Sequence, residues 1–368
     1  PTGKVFQFNP YSMQIHRHDI AQPENPGFLE RLRSVCDEFD DRILLGELHE
    51  YGAARLHREY TGPDRLHLAY GYWLLGADEV DAGLVRSVAE QLGHAADDGW
   101  PCWALDNHDF SRAVSRLGHE DNPEAVTAMI AALTCLRGAT CIYQGSELGL
   151  AEADVPLERI VDPYGREFYP AYRGRDGART PMPWKSDDSF GGFSSVEPWL
   201  PVPAAHRDRA VDVQSHLPGS TLNRLKRFLN WRRDIPALRC GSMTFLDMPA
   251  NILAFERTSG SQTVVCIFNL DRHDAMVPIS EERAGSPKDG HGIGCVGEAD
   301  GLCVPGAEDC DDGNTIPGDG CSEVCMFEGD LTPPESFALG LAPTDWDLGD
   351  EIFECNYLFR CYFLLNRK

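Results

Sequence analysis

Through the first two thirds of the chain, short apolar runs alternate with stretches whose apolar positions recur every three or four residues. That alternation is the pattern of βα units built around a parallel sheet. Phe28, Leu29, Leu32, Val35 and Cys36 stand at i, i+1, i+4, i+7 and i+8, which predicts an amphipathic helix. A strand is expected at Arg42 to Leu48, a second at Leu66 to Leu75, a helix over Ala82 to Ala96, and a third strand at Trp100 to Asp106. The next helix is punctuated at both ends, with Asn122 as N-cap, Pro123 in the first position and Gly138 as C-cap. A fourth strand at Thr140 to Tyr143 leads into a long Pro-, Gly- and aromatic-rich excursion over 151–218, and a helix at Leu222 to Arg233 follows. Four strands with their helices amount to half of a (β/α)8 barrel, which needs eight strands and about 250 residues.

Beyond Gly241 the period changes from helical to alternating. Ile252 to Arg257 and Thr263 to Leu270, split by Ser259-Gly260-Ser261, read as an antiparallel hairpin. The expectation is a small β domain over 242–280 that stops after two or three strands. From Glu281 the chain turns Gly- and Asp-rich with no apolar period. Residues 281–330 read as a Cys-rich module, and 331–368 carry no assignable pattern. The expected division is therefore an α/β barrel portion over 1–241, the β domain, the module and the tail.

Composition narrows the partners. A formal charge of -25 over 368 residues disfavours nucleic acid and anionic membrane surfaces, both of which select basic patches. No apolar run approaches the roughly 18 residues that span a bilayer. A neutral small molecule fits better. The cysteines are unevenly placed. Cys36, Cys102, Cys135, Cys141, Cys240 and Cys266 are scattered singly, as buried thiols are, which suits a reducing, cytoplasmic compartment. The remaining seven crowd Cys295 to Cys361, as in a disulfide framework of secreted or surface proteins.

Two carboxylates stand where a βα barrel gathers its chemistry. Glu47 ends a strand in LLGEL, and Asp109 follows another in ALDNHDFSR. Side chains at strand C-termini converge on one mouth of a barrel, so these two are placed to share a pocket. Glycoside hydrolysis uses such a set: one protonated carboxyl for the leaving oxygen, and ionised carboxylates against developing positive charge. The other reading has Glu47 capping the following helix and Asp109 pairing with Arg112 on the surface.

The segments FQFNPYSMQIHRHDIAQPENPGFLERLR, LLGEL, DRLHLAYGYWLL, GWPCWALDNHDFSR, CIYQGSELGL, DPYGREFYPAYRGRDGARTPMPW and PWLPV follow one another in order. Together they resemble the α-glucosidases of the α-amylase superfamily, the oligo-1,6-glucosidase and maltase type. The resemblance implies a partial TIM barrel, about strands 5–8, followed by a truncated antiparallel β domain. It implies Glu47 as general acid/base and Asp109 as the carboxylate that binds sugar hydroxyls and favours the distorted transition state. It implies His108 beside the bound sugar, Asn107 as a support for that turn, and Arg179 closing a glucose pocket. Gly145, at the exit of the last strand, reads as a position of close backbone approach. Trp184 and Trp199 read as local core ahead of sugar-stacking platforms. The family's nucleophile is an Asp in a Gly-Phe-Arg-x-Asp motif, and that motif does not occur in this sequence. Asp19, in IHRHDIAQPEN, does not correspond to it. The resemblance thus implies a chain that begins downstream of its nucleophile and does not turn over alone, with a complementary N-terminal barrel half as its expected partner.

The tail pattern of Cys303, Cys310-Asp-Asp-Gly-Asn, Gly-Asp-Gly-Cys321 and Cys325 resembles short Cys-rich repeats of myxobacterial surface proteins. Asp311, Asp312, Asn314 and Asp319 are oxygen donors for Ca²⁺ in principle. Their spacing is not that of an EF-hand, and they read as acidic turn residues with no cofactor. Three functions stay open at this stage: a hydrolase of short α-glucosides, a non-catalytic carbohydrate- or partner-binding relic, and a fragmentary or chimeric reading frame.

Overall fold

A computed structural model describes residues 18, 21–48, 53–93 and 99–270, together with the strands at 275–278, 291–293, 352–355 and 361–367. In chain order its principal elements open with α1 (Asn25–Cys36), β1 (Leu45–Leu48), α2 (Ala53–Tyr60), β2 (Leu68–Gly71), α3 (Ala82–Leu92) and β3 (Pro101–Trp103). They continue with α4 (Pro123–Cys135), β4 (Ala139–Thr140), α5 (Thr221–Arg233), α6 (Pro236–Cys240), β5 (Ser242–Phe245), β6 (Ile252–Ser259) and β7 (Gln262–Asn269). The last strands are β8 (Ala275–Pro278), β9 (His291–Ile293), β10 (Ile352–Cys355) and β11 (Cys361–Arg367). The chain divides into two compact units that alternate along the sequence.

The first unit takes residues 1–76, 97–120 and 141–216. Its strands are parallel: β1 aligns with β2 from Leu45 opposite Leu68 to Leu48 opposite Gly71, and Ala69 and Tyr70 of β2 align with Pro101 and Cys102 of β3. Cys141 then donates its N–H to the Trp103 carbonyl at 2.8 Å, which carries the following residues along the same sheet direction. Leu48, Leu56, Tyr60, Leu66 and Ala69 pack α2 onto the strands, with Leu29 of α1 against them. The strands are shorter than the apolar runs that announce them, because those runs also include the turn residues that leave the sheet. Helix α1 forms where its spacing predicts, with Pro26 in its first turn, yet none of its residues is buried. Leu29 packs inward, but Phe28, Leu32 and Val35 lie exposed, so part of its apolar stripe faces outward.

The second unit takes residues 77–96, 121–140 and 217–368. Asp81 caps α3 by accepting the Leu84 N–H at 2.6 Å, and Ala82, Val85, Ala89 and Leu92 fill its buried face. Every residue of α4 except Glu124 is buried, as expected of a helix apolar all round. Asn122 and Pro123 start it as expected, but Asn122 makes no side-chain cap bond, and the C-cap is Leu136 instead of Gly138. Strands β5, β6, β7, β11 and β9 form one antiparallel sheet in that order. The β6–β7 hairpin turns at Gly260-Ser261, where Gly260 takes φ +59°. Leu246, Ile252, Ala254, Val265 and Ile267 make its apolar core. The sheet is wider than two or three strands: β11, from the stretch without assignable pattern, pairs along the whole of β7 from Cys361 opposite Phe268 to Arg367 opposite Gln262. Apart from 291–293, the expected Cys-rich module, with Asp311, Asp312, Asn314 and Asp319, lies outside the described residues. No helix among the described residues is long and apolar enough to cross a membrane.

Candidate active site

The ends of the parallel strands bring the two predicted carboxylates into one electrostatic neighbourhood. Glu47 stands one residue from the end of β1, exposed, and its Oε1 accepts the Tyr72 hydroxyl at 2.8 Å. Tyr70 lies in β2 and Tyr72 in the turn just after it, and both reach the Glu47 carboxylate. Burial pushes the pKa of each phenol up, and bonding to the Glu47 carboxylate pushes it further. Both phenols therefore remain neutral donors. Asp109 also acts on Tyr72, and this places Tyr72 within reach of both acidic groups. Phe110 packs edge-on to Tyr72, with centroids 5.0 Å apart.

Asp109 leaves β3 on a turn that its neighbours hold from beneath. The side-chain oxygen of buried Asn107 accepts the Asp109 N–H at 2.8 Å, the supporting role expected of it. Asp106, buried, accepts the Ser146 hydroxyl on both oxygens and the Ala113 N–H on Oδ2, and burial drives its carboxyl upward. The Oδ1 atom of Asp109 takes two guanidinium bonds, from Arg175 Nη1 and Arg179 Nη2, each at 2.9 Å. His108 is more than half exposed, with Nε2 3.7 Å from that oxygen. Arg179 also donates Nε to the His108 carbonyl at 2.7 Å. His108, Asp109, Arg175 and Arg179 thus meet at one turn, while Glu47 is bonded by Tyr72.

Arg112 does something other than pair with Asp109. It is buried, and donates Nη1 to the Gln144 carbonyl at 2.8 Å and Nη2 to the Ala178 carbonyl at 3.0 Å. Its backbone N–H goes to Glu152 Oε2 at 2.8 Å. A buried fork that satisfies two carbonyls of separate loops fixes those loops together, whereas a surface pair with Asp109 would leave them unanchored. Gly145 sits against this fork: it takes φ +90°, and an added Cβ would stand 2.7 Å from Arg112 Nη1. Trp184 and Trp199 are not local core. Their exposures are 49 % and 79 %, because the apolar contacts of this loop are taken by Val155, Ile160 and Leu200 instead.

Sequence reasoning passed over Tyr72, Arg175 and Asp162. The signals were present: Tyr70-Gly-Tyr72 alternates at a strand end, and GRDGAR sets two arginines four residues apart. Among the described residues no group of three or more His, Cys, Asp or Glu side chains is placed to hold a metal ion. Cys36, Cys102, Cys135, Cys141 and Cys240 are free thiols.

Comparison with known proteins follows the same residues. The family described as "Alpha amylase, catalytic domain" matches residues 6–241. A probable alpha-glucosidase of Rhizobium meliloti is 41% identical over 289 residues, covering 77% of this chain and 52% of that protein. An oligo-1,6-glucosidase of Heyndrickxia coagulans is 29% identical over 300 residues, covering 70% and 53%. Among solved structures, an alpha-glucosyl transfer enzyme, XgtA, superposes with a TM-score of 0.70 at 42% identity, over 74% of this chain and 51% of that one. The chain spans about half the length of the curated relatives it matches. With its motifs in order and its family match covering well over half of its residues, the chain belongs to the α-amylase catalytic-domain family, among relatives that bear the name α-glucosidase.

Proposed function

We propose that this chain supplies the acid/base side of a retaining α-glucosidase site acting on short α-glucosides. The observation that carries this reading is the Glu47–Tyr72–Asp109 neighbourhood at the ends of parallel strands. Glu47 delivers a proton to the glycosidic oxygen and later removes one from water, and the Tyr72 hydroxyl orients its carboxyl for both steps. Asp109 offers its second oxygen, which carries no hydrogen bond to a described residue, to sugar hydroxyls. Its negative charge opposes the positive charge that develops on the ring. Arg179 and His108 flank the sugar at the same turn. On this reading residues 1–241 are half of a (β/α)8 barrel, and 242–280 begin the β domain that follows it.

A retaining mechanism requires a second carboxylate about 5–5.5 Å from the acid. The sequence contains no Gly-Phe-Arg-x-Asp motif to supply it. We assign that carboxylate to a complementary barrel half, on a preceding segment or a separate chain. The exposed stripe of Phe28, Leu32 and Val35 is apolar surface that such a half would cover.

The test is hydrolysis of p-nitrophenyl α-D-glucopyranoside by the purified chain, with Glu47→Gln alongside. The expected result is a folded protein without turnover that gains activity, lost in Glu47→Gln, when a complementary half from the Rhizobium meliloti relative is added. Turnover by the chain alone, abolished in Glu47→Gln, would mean that a carboxylate within it is the nucleophile and would end the split-site reading. Absence of activity in every combination would end the glycosidase reading itself.

A further inference from the structure

We propose that Arg175, clamped by Asp162, is a positioning residue that fixes the orientation of the Asp109 carboxylate. The inference rests on the glycosidase reading for its consequence, and on geometry for its content. Arg175 meets Asp162 side-on through Nε at 2.8 Å and Nη2 at 3.1 Å, the two-point clasp that planar guanidinium and carboxylate groups favour. Its remaining nitrogen, Nη1, reaches Asp109 Oδ1 at 2.9 Å. The Asp162 side chain is 0% exposed and also accepts the backbone N–H groups of Arg175 at 2.8 Å and Tyr164 at 3.3 Å. Apart from capping its own helix at Tyr164, its bonds hold one guanidinium and the loop that bears it.

The loop is itself fixed. Asp176 Oδ2 accepts the N–H groups of Val161 at 2.6 Å and Asp162 at 2.8 Å. Gly165 and Gly174 meet backbone to backbone: a Cβ on Gly165 would stand 2.5 Å from the Arg173 carbonyl oxygen. Gly174 takes φ +78°, and a Cβ there would stand 2.8 Å from the Gly165 Cα. No rotamer change relieves a clash with backbone, so this crossing keeps one geometry.

Arg179 bonds the same Asp109 oxygen, but its other bond is to the His108 carbonyl on Asp109's own turn. Its guanidinium therefore follows that turn. Arg175 instead references Asp109 to a separate, buried anchor. With both donors on Oδ1, Oδ2 is left without a hydrogen bond to a described residue. Rotation of a few tens of degrees would misplace the oxygen that a sugar hydroxyl must meet.

The experiment is calorimetric titration of the full chain with deoxynojirimycin, a cationic glucose mimic, together with crystal structures of the wild type and Asp162→Asn. Arg175→Met and Asp162→Asn are each expected to weaken binding about tenfold, although Asp162 does not touch Asp109. The double variant should bind no more weakly than either single one, because both act through the same clasp. Arg175→Lys should recover part of the loss. Binding unchanged in both single variants, at unchanged melting temperature, would overturn the proposal. If the wild type alone does not bind, the sugar pocket needs the complementary half, and the crystal structures decide the positioning claim. A rotated Asp109 in Asp162→Asn upholds it, and an unmoved one overturns it.

Discussion

Two arginines, one in each compact unit, show how differently this protein manages a guanidinium. Arg175 stands between two carboxylates at an open rim, and its clasp to Asp162 holds it more firmly protonated than an ordinary arginine. Burial alone would raise the Asp162 carboxyl, but the bonds from Arg175 outweigh it and keep that group below its usual range. Arg257 is 0% exposed and faces only carbonyl oxygens: Cys135 at 2.5 Å, Gly241 at 2.9 Å and Ser242 at 3.3 Å. Burial pulls its proton affinity down to about 10. It caps the C-terminal end of α4, where unpaired carbonyls carry partial negative charge, and ties that end to the start of β5. The first arginine orients a reactive group, and the second closes a core. Salt-bridge counting would rank them in the opposite order of their worth to the fold.

Substitution sharpens this contrast most directly. Arg257→Met is expected to cost about 3–5 kcal/mol in urea unfolding, since it strands the Cys135 and Gly241 carbonyls in a dry interior. Arg175→Met should cost less, about 2 kcal/mol, since it strands one buried carboxylate, Asp162, that can take up a proton, while impairing ligand binding. Equal stability losses would break the comparison.

Titration gives the next effect. Burial lowers the His206 imidazole to about 4. It sits between the Ala151 carbonyl, to which Nε2 donates, and the Thr180 hydroxyl near Nδ1. The unfolded chain takes up this proton near pH 6.5 while the folded chain resists it, so stability falls as pH drops from 6.5 to 4. The loss from this group reaches at most about 3 kcal/mol and disappears in His206→Gln. Glu152 has the opposite sign. Burial raises its carboxyl to about 7, so the folded chain keeps a proton that the unfolded chain releases above pH 4.5. Its contribution is greatest at or below pH 4.5 and is lost as pH rises to 7. Urea midpoints of Glu152→Gln and the wild type across this window should diverge accordingly.

The smallest effect belongs to the loop surface. Trp199 is 79% exposed, while Arg159 secures its loop through Glu197 and the Pro198 carbonyl. Trp199→Ala should change stability by no more than about 0.5 kcal/mol. A larger loss would show that the indole has cover in solution.

Glu47 and Asp109 were legible because a carboxylate at the end of an apolar run is a local pattern. So was α1, because helical spacing is local too. The strand ends were not, since a run of Leu, Tyr and Trp reads the same whether it pairs in a sheet or packs beneath a turn. Nothing in GRDGAR says which arginine meets Asp109; both do, and only Arg175 also reaches Asp162. The alternative reading put Arg112 on the surface beside Asp109, and the tertiary structure buries it against Gln144 and Ala178.

By itself the sequence determined the alternation of parallel βα units, the hairpin over 252–269, and the family to which the catalytic motifs belong, because each is written in spacings of a few residues. The tertiary structure alone decided that Cys361–Arg367 lies along β7, that Tyr72 bonds Glu47, and that Asp162 holds Arg175. Those pairings join residues distant in the chain, and only closing the intervening loops brings their donors and acceptors within bonding distance.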